Sequence, residues 1–212
     1  MTQLYLIRHG ESEANHQRVF AGNYNIDLTE LGYRQAAKIP AYFKGIHIDA
    51  IFASDLLRAY HTACPLAEER GIDIVKETAL REISAGAWEG QKFDWIMETH
   101  AADYTVWRND IGNAVCTGGE SVLQVSKRVL SAIEKIAKAY DGKSVVLATH
   151  ATPIRSMISL WETGSLAGMQ AYKWVPNASV TSVTYDEGKF TVREIGCTEH
   201  LLDLLTELPP NV

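Results

Sequence analysis

Three short apolar runs recur along this chain, and each is stopped at once by polar or glycine-containing sequence. Leu4 to Ile7 is followed by Arg8-His9-Gly10, Ala50 to Ala53 by Ser54-Asp55, and Val145 to Ala148 by Thr149-His150. Apolar runs this short read as strands buried on both faces. Segments of helical periodicity lie between them, the pattern of βαβ units. It predicts a three-layer α/β/α fold with a mostly parallel central sheet. In such sheets ligands bind beyond the carboxyl ends of the strands. The residues directly after each run therefore carry the functional signal.

Around this frame, Thr29 reads as the N-cap of a helix running to about Phe43, with Leu31, Ile39 and Phe43 on one face and Pro40 as a kink. Ser54 or Asp55 is expected to cap a helix ending near Gly71, with a short strand at Ile72–Val75 after it. Ser121 and Gln124 form a capping-box pattern, opening a helix whose stripe is Val122, Val125, Val129, Ile133, Ile136 and Tyr140. Thr152-Pro153 reads as an N-cap and first-turn proline for a helix to about Trp161. Residues 179 to 195 read as a hairpin turned at Asp186-Glu187-Gly188, and a short C-terminal helix is expected to end at Pro209-Pro210. Residues 82 to 118, with Trp88, Trp95, Tyr104 and Trp107, are irregular: a loop with one or two short helices over the sheet edge. No repeat, low-complexity tract or linker interrupts the chain. Residues 1–212 are expected to be one domain, with a substrate-covering insertion at about 83–118.

Composition narrows the function classes. The 212 residues carry 20 basic and 26 acidic side chains, a net charge of −6, which argues against a nucleic-acid surface. A small anionic ligand remains compatible if a few arginines make the field locally positive. No apolar run approaches the roughly 18 residues of a membrane span. The first strand begins at about Gln3, which leaves no room for a signal peptide. Cys64, Cys116 and Cys197 are odd in number and unpatterned, so a reducing cytoplasm is the expected location.

Parallel neighbours would set the three strand ends along one edge. That edge would hold Arg8 and His9, Ser54 with Arg58 one turn on, and His150, beside two helix N-termini that favour anions. A planar cation, a nitrogen nucleophile and a glycine that admits close backbone approach together suit a phosphoryl group.

At these residues the chain resembles the histidine phosphatase superfamily, also called phosphoglycerate-mutase-like. The matching residues are Arg8-His9-Gly10-Glu11-Ser12 with Asn15, Leu28-Thr29 with Gly32 and Gln35, and Ser54-Asp55-Leu56 with Arg58-Ala59 and Thr62-Ala63. Leu80-Arg81-Glu82 with Gly86, Trp88-Glu89-Gly90, Gly118-Gly119-Glu120-Ser121 and His150 with Ile154-Arg155 continue the series in family order. The resemblance implies that His9 attacks phosphorus and becomes a phosphohistidine. It implies that Arg8, Arg58 and His150 surround the phosphoryl oxygens, and that Glu82 is the proton donor and later the base. Asn15 is then expected as a neutral donor, and the backbone near Gly22 and Ala151 as further lining. Burial beside the substrate's negative charge would favour the protonated form of Glu82. Glu11, Glu89 and Glu120 belong to motifs without a chemical role and read as structural.

The resemblance implies no cofactor and no metal, and no ligand spacing such as H-E-x-x-H is present. It leaves two reactions open. Phosphoglycerate mutases carry an Arg-His-Tyr run after the catalytic glutamate and further cations beyond it. This chain has Ile83-Ser84-Ala85, and only Lys92 and Arg108 are basic from there to Gly118. Hydrolysis of a small phosphorylated metabolite is the favoured reading, with mutase-type transfer or a non-catalytic phospholigand-binding role as alternatives. The aromatic content of residues 88–107 suits either packing or an apolar, ring-bearing leaving group. Asn25-Ile26-Asp27, Ala21 and Ala151 depart from the family pattern without removing a catalytic group. A homodimer is compatible with all of this.

Overall fold

The computed structural model describes residues 1–206, so the expected C-terminal helix ending at Pro209-Pro210 lies largely outside the described residues. Six strands form one sheet: β1 Thr2–Arg8, β2 Ala50–Ala53, β3 Ile74–Lys76, β4 Ser144–Thr149, β5 Val180–Asp186 and β6 Lys189–Cys197. Their order is β3-β2-β4-β1-β5-β6. The first four are mutually parallel, and the β5–β6 hairpin adds antiparallel to β1. Register pairs Arg8 with Thr149 and Ala53 with Ala148, so β1, β4 and β2 end at one level.

Among the described residues the α-helices are α1 Glu13–Gln17, α2 Glu30–Ala36, α3 Ile39–Tyr42, α4 Leu57–Arg70, α5 Phe93–Thr99, α6 Ala101–Asn109, α7 Val122–Ala139 and α8 Ala151–Thr163. Side chains alternate across the sheet and give it two cores. Leu4, Leu6, Val145 and Leu147 pack with Val122, Val125, Val129 and Ile133 of α7 and with α8. Ile7, Ile51, Val146 and Ala148 pack with Ile39, Phe43, Ala63 and Leu66 on the other face. This is the three-layer arrangement that the apolar runs predict. Residues 83–118 fold against the α7–α8 face as α5, α6 and 3₁₀ turns, burying Trp88, Ile96, Tyr104 and Trp107.

Several element boundaries differ from the expectation, each for a local reason. Thr29 caps α2 by accepting from the Gly32 N–H, but the helix stops at Ala36 and restarts as α3. Pro40 lacks an N–H and its ring would clash with the Ala36 carbonyl, so the expected kink is a full break. Helix α4 starts at Leu57 with Leu56 as N-cap, so neither Ser54 nor Asp55 caps it. The Leu57 N–H is taken by Asn25 Oδ1 at 2.8 Å, and Asp55 pairs with Arg81. Helix α8 starts at Ala151 with His150 as N-cap, two residues before the expected Thr152. The Ser121–Gln124 capping box forms as expected, and Glu187 and Gly188 turn the hairpin at φ +46° and +84°.

Candidate active site

The level ends of β1, β2 and β4 open on a cavity of about 320 Å³. Arg8, His9, Asn15, Gly22, Arg58, Glu82, Ala151 and Thr152 all line it. His150, the remaining site residue expected from sequence, is fully buried against the His9 ring, with centroids 5.2 Å apart.

His9 is held by its own backbone. Its N–H bonds the Thr149 carbonyl at 3.0 Å, and its carbonyl accepts from the Ala178 N–H at 3.1 Å and Asn177 Nδ2 at 3.0 Å. Nδ1 lies 2.7 Å from the Gly10 carbonyl, which can only accept, so Nδ1 carries the proton. Nε2 is left with the free lone pair. The close approach behind this loop needs two glycines: a Cβ on Gly10 would stand 2.7 Å from the Gly32 carbonyl oxygen, and one on Gly32 2.0 Å from that of Glu11.

Arg8 and Arg58 bring two guanidinium groups into the interior, and among the described residues their hydrogen-bond partners are carbonyls. Arg8 Nη1 bonds the Val175 carbonyl at 2.6 Å; Arg58 bonds Gly22 and Tyr24 carbonyls at 2.7 and 3.0 Å. The Nε of each is buried without a partner among the described residues. Burial lowers both pKa values to about 10, partly offset by the nearby Glu82 carboxylate. The same burial, followed by the positive charge of Arg58 and Arg8, holds the His9 imidazole neutral with its pKa well below the ordinary value.

His150 is depressed in the same way, by burial first and then by Arg58. Its Nε2 is 2.8 Å from Ser54 Oγ, which also accepts the Leu56 N–H at 3.3 Å. A buried hydroxyl needs an acceptor for its proton, and His150 Nε2 is the one in reach. Ser54 therefore donates to Nε2, and the proton of the neutral ring sits on Nδ1, which has no partner among the described residues.

Glu82 is 8 % exposed and accepts the Ile83 N–H at 2.9 Å and the Thr152 N–H, in the first turn of α8, at 3.3 Å. Its main chain is fixed by Arg128, whose guanidinium donates to the carbonyls of Ala79, Arg81 and Glu82 and forks onto Glu120. Asn15 spends Oδ1 on the Ser12 N–H and on Asn177 Nδ2, which leaves its amide NH₂ as the end available to a ligand. Glu11 accepts from Thr29, Glu89 from the Asn23 and Ala85 N–H groups, and Glu120 from Ser84 and Arg128, which are structural duties.

Sequence reasoning missed Asn177, Thr62, Arg128 and Trp174 as parts of this site. Thr62 accepts the Gly10 N–H at 2.9 Å. Pro176-Asn177 carries only a loop signal in sequence; nothing local ties it to His9. Away from the phosphate-sized end, the cavity wall is Phe20, Leu31, Phe93, Trp107, Trp174 and Leu205. Trp88 and Tyr104 serve packing, whereas Trp107 packs and also lines the cavity. Among the described residues no helix is long and apolar enough to cross a membrane.

Comparison with known proteins agrees with this geometry. The model of the histidine phosphatase superfamily (branch 1) matches residues 4–198. The chain is 30% identical over 211 residues to phosphoserine phosphatase 1 of Hydrogenobacter thermophilus, covering 98% of both chains. It is 29% identical over 214 residues to the probable phosphoglycerate mutase GpmB of Cronobacter sakazakii, covering 95% of each. The solved structure of Bacillus stearothermophilus YhfR superposes with a TM-score of 0.90 at 28% identity, over 95% of this chain and 100% of that one. A strand end bearing Arg8-His9-Gly10, the sheet that aligns it with Arg58 and His150, and these likenesses agree: the chain belongs to the histidine phosphatase superfamily.

Proposed function

We propose that this chain hydrolyses phosphomonoesters of small metabolites by way of a phosphohistidine on His9. One observation carries the reading: His9 Nε2, its ring neutral and its Nδ1 tied to Gly10, shares a cavity with two buried arginines and Glu82. Nε2 attacks phosphorus as the ester P–O bond breaks, and protonated Glu82 gives its proton to the departing alkoxide. Glu82, now a carboxylate, takes a proton from water, whose oxygen bonds phosphorus as the P–N bond breaks and returns its electron pair to His9.

Arg8, Arg58, His150 Nδ1–H and the Asn15 amide hold the phosphoryl oxygens through both steps, with backbone near Gly22 and Ala151 completing the wall. Each fixed donor of this kind lowers the barrier by about 3–4 kcal/mol. Mutase-type transfer draws support from the GpmB likeness. Against it, the basic residues lining the cavity besides Arg8, His9 and Arg58 are His16 and Arg18, both exposed, a thin set of anchors for a second phosphoryl group.

The test is p-nitrophenyl phosphate with no added metal. Turnover is expected, with an acid-labile phosphoenzyme on rapid quench, and both should vanish in His9→Ala. Folded protein that is inert from pH 4 to 8 would sink the proposal. Conversion of 3-phosphoglycerate that depends on a bisphosphate primer would favour the mutase.

A further inference from the structure

One side of the cavity is a rigid aromatic wall. Trp107, 4 % exposed, stacks on Trp174 with centroids 6.1 Å apart and planes 22° apart, and meets the Phe20 ring edge-on at 5.1 Å. The Arg155 guanidinium lies 4.3 Å from the Trp174 ring centre and is itself tied to the Met169 carbonyl. Phe93 sits against Phe20 at 5.9 Å. Contacts on several sides hold these rings in place before any ligand arrives, so little further freedom is lost on binding.

The carboxylates that line this cavity already hold partners. Glu11 and Glu82 are the acids that line the cavity among the described residues. Glu11 accepts the Thr29 hydroxyl, and Glu82 accepts two backbone N–H groups. An ammonium group on the leaving alcohol would meet no uncommitted carboxylate there.

We infer that the alcohol this enzyme releases is apolar and ring-bearing, and that small zwitterionic esters such as phosphoserine are poor substrates. The inference rests on the phosphatase reading above and names its substrate class. A flat apolar body gains by leaving water for this wall, whereas an ammonium group loses hydration there with no uncommitted carboxylate to receive it. A cavity of about 320 Å³ is at the small end of the range for organic ligands, room for a phosphoryl group and a compact body.

The experiment compares kcat/KM for 2-phenylethyl phosphate and O-phospho-L-serine, both esters of primary alcohols, with p-nitrophenyl phosphate as the general reporter. The phenylethyl ester should win by roughly 30- to 100-fold, the advantage of burying one ring. Trp174→Ala and Phe93→Ala change half-buried residues. Each should cut that ratio several-fold, chiefly by raising the KM of the phenylethyl ester. Equal constants, a preference for phosphoserine, or variants that slow both esters alike would overturn the inference while leaving hydrolysis intact. Failure to cleave any of the three esters would remove the phosphatase reading and this inference with it.

Discussion

Arg58→Met should separate stability from catalysis. Burial brings the Arg58 pKa down to about 10, more than two tenfold steps, which at about 1.4 kcal/mol per step means roughly 3 kcal/mol spent on holding the charge indoors. Methionine has a similar reach and removes that penalty. It also strips the Gly22 and Tyr24 carbonyls of their donor. Tyr24 is exposed and rehydrates, whereas Gly22 is buried and its orphaned carbonyl costs about 1–3 kcal/mol. The two effects oppose, so urea unfolding without phosphate should place the variant within about 2 kcal/mol of the parent. Turnover of p-nitrophenyl phosphate should nevertheless fall by about 10²–10³. Phosphate at about a hundred times its Kd should stabilise the parent by about 2.7 kcal/mol and the variant much less. A variant that loses more than about 4 kcal/mol, or keeps the full response to phosphate, refutes the reasoning.

Ser54→Ala leaves His150 Nε2 without its donor, so its tautomer is no longer enforced; kcat should fall about tenfold with KM nearly unchanged, and the imidazole ¹⁵N shifts of His150 should change. Arg128→Met releases the carbonyls of Ala79, Arg81 and Glu82 and should lower stability by about 2–3 kcal/mol in urea titration, with a loss of kcat as Glu82 drifts. His9 and His150 are held neutral in the fold, so the unfolded chain takes up protons first as pH falls through about 6.5. Stability is therefore complete above that pH and declines below it, by up to about 1.4 kcal/mol per pH unit for each ring. Unfolding measured between pH 7 and 5 should show this slope, shallower in His150→Asn; a flat profile counts against neutral buried rings.

The sheet was legible because its strands are apolar runs that no helix period explains, and because parallel pairing needs long crossovers. The site residues on those runs were legible for the same reason: Arg8, His9 and His150 stand where a strand must stop. What stayed hidden depends on contacts between distant parts of the chain. Asn177 is 168 residues from His9, and Arg128 reaches back 46 residues to the Glu82 carbonyl. Helix starts at Leu57 and Ala151 were misplaced because their free N–H groups are met by Asn25 and Glu82, whereas sequence reading looks for a local cap. The aromatic segment could be read two ways because Trp107 does both jobs.

Strand β1, which precedes all its sheet partners in the sequence, lies in the middle of the sheet between β4 and β5. Its hydrogen-bonding edges have no partner in this sheet until residues 144–149 and 180–186 have been synthesised. His9 is thus carried, until those segments appear, on an apolar strand with both flanks open, the condition that invites misassociation. His9 gains its last tether, from Asn177 and Ala178, only once residues 168 or more positions further along have been made. A nascent chain that ends before this loop should therefore be catalytically silent, because His9 lacks the tether that fixes its place beside the arginines.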